Sequence, residues 1–167
     1  FEGRAIKADM VKLGQREFIP TAIEVESVAI DMPIDEGTSK ELKMDYRWID
    51  LRQDKERLIF QIRTYVEMVM RQYFIDKGYI EIHSPKITSQ CSEGGADVFT
   101  VDYYGQKAYL TQSPQFYKQM AMASGMDRVF EVAPAFRAEN SNSYRHTTDF
   151  TSFDIEMSYL DNLEELM

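Results

Sequence analysis

The sequence predicts an α+β fold: an antiparallel sheet flanked by helices, preceded by the end of a small β domain. Three observations carry this. Residues 55–77 place Leu58, Ile59, Ile62, Val66, Val69, Met70, Tyr73 and Phe74 at helical spacing. Residues 135–139 and 150–159 alternate with period two on either side of a polar loop. The first thirty residues have strand character, with no long helical pattern among them.

The alternating pair holds the chemistry. Phe136 and Ala138 point one way, Arg137 and Glu139 the other. In Phe150–Tyr159 one face carries Thr151, Phe153, Ile155, Met157 and Tyr159. The opposite face carries Phe150, Ser152, Asp154, Glu156 and Ser158. Between the strands, Asn140–Asp149 is rich in Asn, Ser and Thr, with Arg145 and His146 near its end. An arginine, carboxylates and an aromatic on one sheet face make a poor core. They suit a phosphorylated, planar ligand.

The other elements follow in order. Glu17–Pro20 is a short extended piece, and Ala22–Ile30 alternates through Ile23, Val25, Val28 and Ile30 with a break at Ser27. Residues 31–41, with Pro33, Gly37, Thr38, Ser39 and several acidic residues, read as an interdomain linker. Asp45–Arg52 caps the next domain. The long helix takes Asp54 as its N-cap and Gly78 as its C′ glycine. Tyr79–Ile82 is a strand closed by Ser84-Pro85, and proline belongs at an edge or an interface. This helix and strand fit a dimer contact, and the same pattern fits packing on their own domain. Ser92–Ala96, SEGGA, is a glycine loop in which Glu93 is placed to hold an ammonium group. Val98–Tyr103 and Lys107–Leu110 form a hairpin around Tyr104-Gly105-Gln106. Ser113 caps a helix with Pro114 at its first position, and Gly125 ends it. Gln115 and Lys118 share a face of that helix. Met120, Met122 and Met126 read as soft core filler. Arg128–Pro134 is an apolar strand running into 135–139.

Composition narrows the function. The net charge is -9 over 167 residues, which argues against non-specific nucleic-acid binding but leaves room for a local patch that reads one RNA. One cysteine, Cys91, excludes an internal disulfide framework and an all-cysteine zinc site. Two histidines, His83 and His146, argue against a histidine metal centre. There is no apolar run of membrane-spanning length and no signal peptide, so a soluble cytoplasmic protein is the expectation. The chain opens on Phe1 and ends in what reads as the start of a helix, so it is expected to be part of something longer.

GYIEIHSP at 78–85, SEGGA, QSPQFYK at 112–118, FRAE at 136–139 and RHTTDF at 145–150 occur in the order found in class II aminoacyl-tRNA synthetases. The chain most resembles the aspartyl-specific branch of archaeal and eukaryotic type, essentially throughout. The resemblance implies three parts. Residues 1–30 correspond to the end of an OB-fold anticodon-binding barrel, 31–44 to a hinge, and 45–167 to the first half of the catalytic domain with its first two motifs. It implies ATP-dependent activation of L-aspartate and transfer to the 3′ end of tRNA(Asp), by a homodimer in the cytoplasm. An asparaginyl or dual-specificity enzyme and a non-catalytic RNA-binding fragment are the alternatives.

The same resemblance implies the roles. Glu93, Gln115, Phe116, Tyr117, Lys118 and Arg137 line the aspartate, with Lys118 reading its side-chain carboxylate. Arg137 is the catalytic cation between substrate carboxylate and α-phosphate. Ala138, Glu139, Arg145, His146, Thr147 and Phe150 join it around ATP, Phe150 under the adenine. Ser141 and Ser143 meet the tRNA terminus, and Pro85 is the interface proline. The third class motif is not in the sequence. Neither are the acidic residues expected to carry Mg²⁺, so full activity is expected to need further residues.

Overall fold

The computed structural model describes residues 2–12, 14–91, 97–141, 143–162 and 164. The described chain divides into two compact units, Phe1–Arg57 and Leu58–Met167.

In the first unit, β1 (Glu2–Lys7) and β2 (Arg16–Ala22) form an antiparallel hairpin. A glycine is required at position 3. A Cβ there would lie 2.3 Å from the Ile19 carbonyl oxygen and 2.5 Å from Phe18 Cζ. The expected strand over 22–30 does not form, since β2 stops at Ala22, paired with Glu2 at the start of β1. Ile23, Val25, Val28 and Ile30 are exposed. Alternation without a neighbouring strand leaves the backbone unpaired, and it does not make a strand.

Asp35 and Thr38 close a turn: the Thr38 hydroxyl donates to Asp35 Oδ1 and accepts from the Asp35 N–H, both at 2.8 Å. That hydroxyl holds the Asp35 carboxyl below its usual range. Ser39 then caps α1 (Lys40–Asp45) by accepting from Leu42 N–H at 3.3 Å. α2 (Arg47–Asp50) follows at once, with the buried Asp50 carboxylate paired to Arg47 and hydrogen-bonded by Gln53.

α3 (Asp54–Asp76) contains Asp54 rather than being capped by it, because the Gln53 carbonyl already accepts from Arg57 N–H. It ends at Gly78, φ +79°, where Tyr79 N–H returns to the Phe74 carbonyl at 2.9 Å.

Among the described residues of the second unit there are two three-stranded sheets. β3 (Ile80–Glu81), β7 (Arg128–Phe136) and β8 (Asp149–Met157) form one, in the order β3-β7-β8. β7 and β8 are antiparallel over their whole length, while β3 is a short parallel edge. β4 (Ile87–Thr88), β6 (Gln106–Leu110) and β5 (Thr100–Tyr103) form the other, antiparallel throughout. Tyr104 and Gly105 make its two-residue turn with φ +53° and +79°. Pro134 is tolerated within β7 because β3 pairs only with residues 129–130. Its flank is open at that point.

The core lies on one face of the β7–β8 pair. Phe74 of α3 meets Phe130, Phe153 and Tyr79 with ring centres 5.0–5.7 Å apart, and Val132, Ile155 and Met157 complete the cluster. Tyr159, expected on this face, lies past the end of β8 and is exposed, with φ +57°. A charged row anchors α3 from outside. Glu67 accepts from Arg63 Nε at 2.9 Å and Arg71 Nη1 at 3.3 Å, and Arg71 Nε reaches Glu81 Oε1 at 3.1 Å. Arg63 also hydrogen-bonds the Thr151 hydroxyl.

α4 (Gln115–Ala123) covers the opposite face. It starts one residue later than the sequence suggests. Pro114 is the cap, its carbonyl taking Lys118 N–H at 3.0 Å, and the Ser113 hydroxyl makes no capping bond. Gly125 ends it with φ +92°. Met120 and Met126 are exposed and so are not core filler, while Met122 is half-buried. No helix among the described residues is long and apolar enough to cross a membrane.

Candidate active site

The period of two in β8 decides what faces α4. Ala135 pairs with Phe150, Ala133 with Ser152, Glu131 with Asp154 and Val129 with Glu156. Paired residues share a face, so two small side chains leave space beside Phe150 and Ser152. Arg137 enters that space one residue past β7. Its guanidinium carbon lies 5.5 Å from the centre of the Phe150 ring. The strand end is fixed by backbone bonds: Arg137 N–H to Thr148 C=O at 3.0 Å and Ala138 N–H to Asp97 C=O at 2.9 Å. Arginine and phenylalanine therefore lie on one side of the sheet, both half-buried, as the alternation requires.

Lys118 reaches the same face from α4. It is 5% exposed, and its Nζ lies 3.3 Å from Glu156 Oε2, 3.6 Å from Asp154 Oδ1 and 3.2 Å from the Ile155 carbonyl. A buried ammonium is stable only with such partners. The Ser152 hydroxyl hydrogen-bonds Asp154 and fixes that carboxylate further. Asp154 and Glu156 are the site residues that sequence reasoning did not assign. The alternation puts them on the polar face, but nothing local says that α4 brings a lysine to them.

The remaining candidates lie around this centre. Gln115 and Tyr117 are half-buried on α4, and Phe116 is exposed. Ala138 and Glu139 are half-buried just past Arg137. Ser141, Ser143, Arg145, His146 and Thr147 are exposed in the loop. There the Ser143 hydroxyl hydrogen-bonds His146 Nδ1, and Arg145 Nε donates to the Tyr144 hydroxyl at 3.0 Å. Arg145 and His146 are thus held by loop neighbours rather than by the sheet. Pro85 is exposed at the end of the segment that leaves β3. Glu93 and its SEGGA loop lie outside the described residues.

The sequence profile of class II tRNA synthetases (D, K and N) matches residues 39–167. The chain belongs to this family. Among curated members of the family, the chain is 45% identical over 156 residues to the aspartate–tRNA(Asp) ligase of Pyrococcus horikoshii, covering 90% of this chain and 36% of that protein. It is 42% identical over 168 residues to the aspartate–tRNA(Asp/Asn) ligase of Methanopyrus kandleri, covering 97% of this chain and 39% of that one. In structure it superposes on the asparaginyl-tRNA synthetase of Pyrococcus horikoshii, solved with asparaginyl-adenylate. The TM-score is 0.83 at 31% identity, over 95% of this chain and 37% of the other. The chain thus spans less than two fifths of the length of these class II relatives. The mixed architecture, a sheet faced by helices, is that of a class II synthetase, as the sequence predicts.

Proposed function

We propose that this chain supplies the amino-acid and ATP side of an aspartate–tRNA ligase site. The reaction activates L-aspartate with ATP and transfers it to the 3′ end of tRNA(Asp). One observation carries the reading: a buried lysine and a half-buried arginine stacked on an aromatic share one sheet face.

In the proposed chemistry a carboxylate oxygen of aspartate attacks the α-phosphorus of ATP. A P–O bond forms, the bond to pyrophosphate breaks, and pyrophosphate leaves with that electron pair. No protein nucleophile is needed. The work is to place two anions in line and to balance charge on the transferred group. Arg137 presents a planar fork that fits between carboxylate and phosphate. Phe150, under that fork, offers its ring to the adenine. Lys118 receives the substrate's side-chain carboxylate, and Gln115, Tyr117 and Phe116 surround the amino acid with Glu93. Ala138, Glu139, Arg145, His146 and Thr147 surround the nucleotide, and Ser141 and Ser143 meet the tRNA end.

ATP is the second substrate and arrives with Mg²⁺. Among the described residues no group of three acidic, histidine or cysteine side chains is placed to hold a metal, and Lys118 occupies Asp154 and Glu156. The described residues do not by themselves make a resident Mg²⁺ site.

A homodimer is part of the proposal. α3 exposes Leu58, Ile59, Ile62, Tyr65, Val66 and Val69 along a row, and Pro85 is exposed nearby in the chain. A cytoplasmic location completes the reading, supported by a relative from Dictyostelium discoideum that is named a cytoplasmic aspartate–tRNA ligase.

The test is pyrophosphate exchange by the full-length protein, run with aspartate and with asparagine, followed by charging of both tRNAs. Exchange that depends on aspartate supports the reading, and exchange preferring asparagine refutes it. The Methanopyrus kandleri relative's name makes dual tRNA charging the second reading. Aspartate transfer to tRNA(Asn) as well as tRNA(Asp) would establish it.

A further inference from the structure

The most deeply buried carboxylate among the described residues has no part in the proposed chemistry. Glu131, 1% exposed, stands in the middle of β7 and pairs in register with Asp154. Its Oε1 accepts from Ser84 N–H at 2.6 Å and from Lys86 Nζ at 3.0 Å, and its Oε2 accepts from the Ser84 hydroxyl at 2.7 Å. Lys86 Nζ also donates to Ser84 Oγ at 2.8 Å. Three donors from one three-residue segment therefore converge on one carboxylate. Burying that charge is costly, and an apolar side chain of the same volume would pack there at less cost. What the carboxylate adds is direction: it fixes where Ser84-Pro85-Lys86 sits on the sheet.

That segment leads into the site by backbone bonds. The Lys86 carbonyl accepts from Thr111 N–H at 3.0 Å, and the Thr111 carbonyl accepts from Phe136 N–H at 2.9 Å. Phe136 immediately precedes Arg137, and Thr111 opens the stretch that becomes α4 and carries Lys118. A shift of segment 84–86 moves both cations that the reaction needs.

We propose that Glu131 is a positioning residue: through Ser84 and Lys86 it sets the register of segment 84–86, and through Thr111 the placement of Arg137 and Lys118. This rests on the aspartate–tRNA ligase reading above.

The experiment compares E131Q, K86M and their double variant in the full-length protein by pyrophosphate exchange. Each is scored per folded active site, with sites counted by the burst of adenylate formation. Glutamine keeps the size and an acceptor for Ser84 N–H but loses the charge that holds Lys86. The expected result is a kcat for exchange lower by about ten- to a hundredfold, with the KM for ATP within about twofold, since misplacement strikes attack geometry before ground-state binding. The double variant should be no worse than the worse single, because both break one linkage. Unchanged kcat, losses that multiply, or losses that vanish when counted per active site overturn the proposal. If E131Q does not fold, K86M and S84A carry the same comparison, since Lys86 is partly exposed. If the wild-type protein shows no aspartate-dependent exchange, the functional reading fails. Amide hydrogen exchange then decides the positioning claim by itself. Exchange at Thr111 and Phe136 faster by about tenfold in K86M supports it, and unchanged protection overturns it.

Discussion

Replacing Lys118 by methionine tests the charge arrangement directly. The ammonium faces two carboxylates, at 3.3 Å and 3.6 Å, and one carbonyl at 3.2 Å. At an effective dielectric near 20 each ion contact is worth roughly 5 kcal/mol before desolvation, and desolvating the lysine offsets several kcal/mol of that. Methionine fills most of the volume but leaves Asp154 and Glu156 facing each other without a cation. Breaking a fully buried pair costs about 3–5 kcal/mol. These two carboxylates keep 21% and 27% side-chain exposure, so water screens part of the repulsion. A loss of about 2–4 kcal/mol follows, and at about 2–4 °C per kcal/mol for a domain of this size the melting temperature should fall by about 5–15 °C. Thermal denaturation of the full-length protein, followed by circular dichroism, measures it. Adding Glu156→Gln to Lys118→Met should return about 1–2 kcal/mol, because it removes one of the stranded charges. A Lys118→Met protein within about 0.5 kcal/mol of wild type would refute the reasoning. So would a Glu156→Gln change that destabilises equally in both backgrounds.

Three further outcomes are expected. Gly78→Ala should cost about 1–2 kcal/mol in urea denaturation, since φ is +79° and nothing lies within 4 Å of the new Cβ, so the penalty is backbone conformation alone; Gly78→Asn should cost less. Phe150→Leu should raise the KM for ATP about tenfold and leave that for aspartate near wild type, the loss being one base-stacking contact, and an equal rise in both would contradict its placement. Hydrogen bonding from Arg63, and then Arg71, holds the Glu67 carboxyl below the usual glutamate range. Its stabilisation is therefore full above the unfolded-state value and is lost as pH falls through the lowered folded-state value. Glu67→Gln should show a stability deficit at neutral pH that disappears in acid, and a deficit unchanged by pH would contradict this.

What the sequence made legible follows from periodicity. In β8 a period of two with one buried face leaves a single consistent register, so the apolar row 153, 155, 157 and the polar row 150, 152, 154, 156 are readable from the sequence alone. Gly78 and Gly125 were readable because both helix ends need φ above zero. Alternation at 22–30 misled because strand formation depends on a partner, and no local pattern supplies one. The parallel pairing of β3 with β7 joins residues nearly fifty apart, and Glu131 hides in the run VFEVA for the same reason. Its donors come from Ser84 and Lys86. Both helix starts were off by one residue, where the carbonyl that opens the ladder outranks the side chain that looks like a cap.

The resting charge pattern also bears on substrate choice in the proposed reaction. Lys118 is already neutralised by two carboxylates, so an incoming side-chain carboxylate cannot simply add to the cluster. Aspartate resolves this because it is a zwitterion. Its side-chain carboxylate takes a place at Nζ while its ammonium takes up a carboxylate that the lysine releases. The lysine keeps two ion contacts and no charge is stranded. Asparagine carries the ammonium but brings an uncharged amide to Nζ, so the exchange leaves the lysine short of one anion, a cost that an uncharged hydrogen bond does not cover. On this argument Asp154 and Glu156 are as necessary to discrimination as Lys118 is. Glu156→Gln should narrow the preference for aspartate over asparagine in pyrophosphate exchange, and an undiminished preference would show that the lysine discriminates without them.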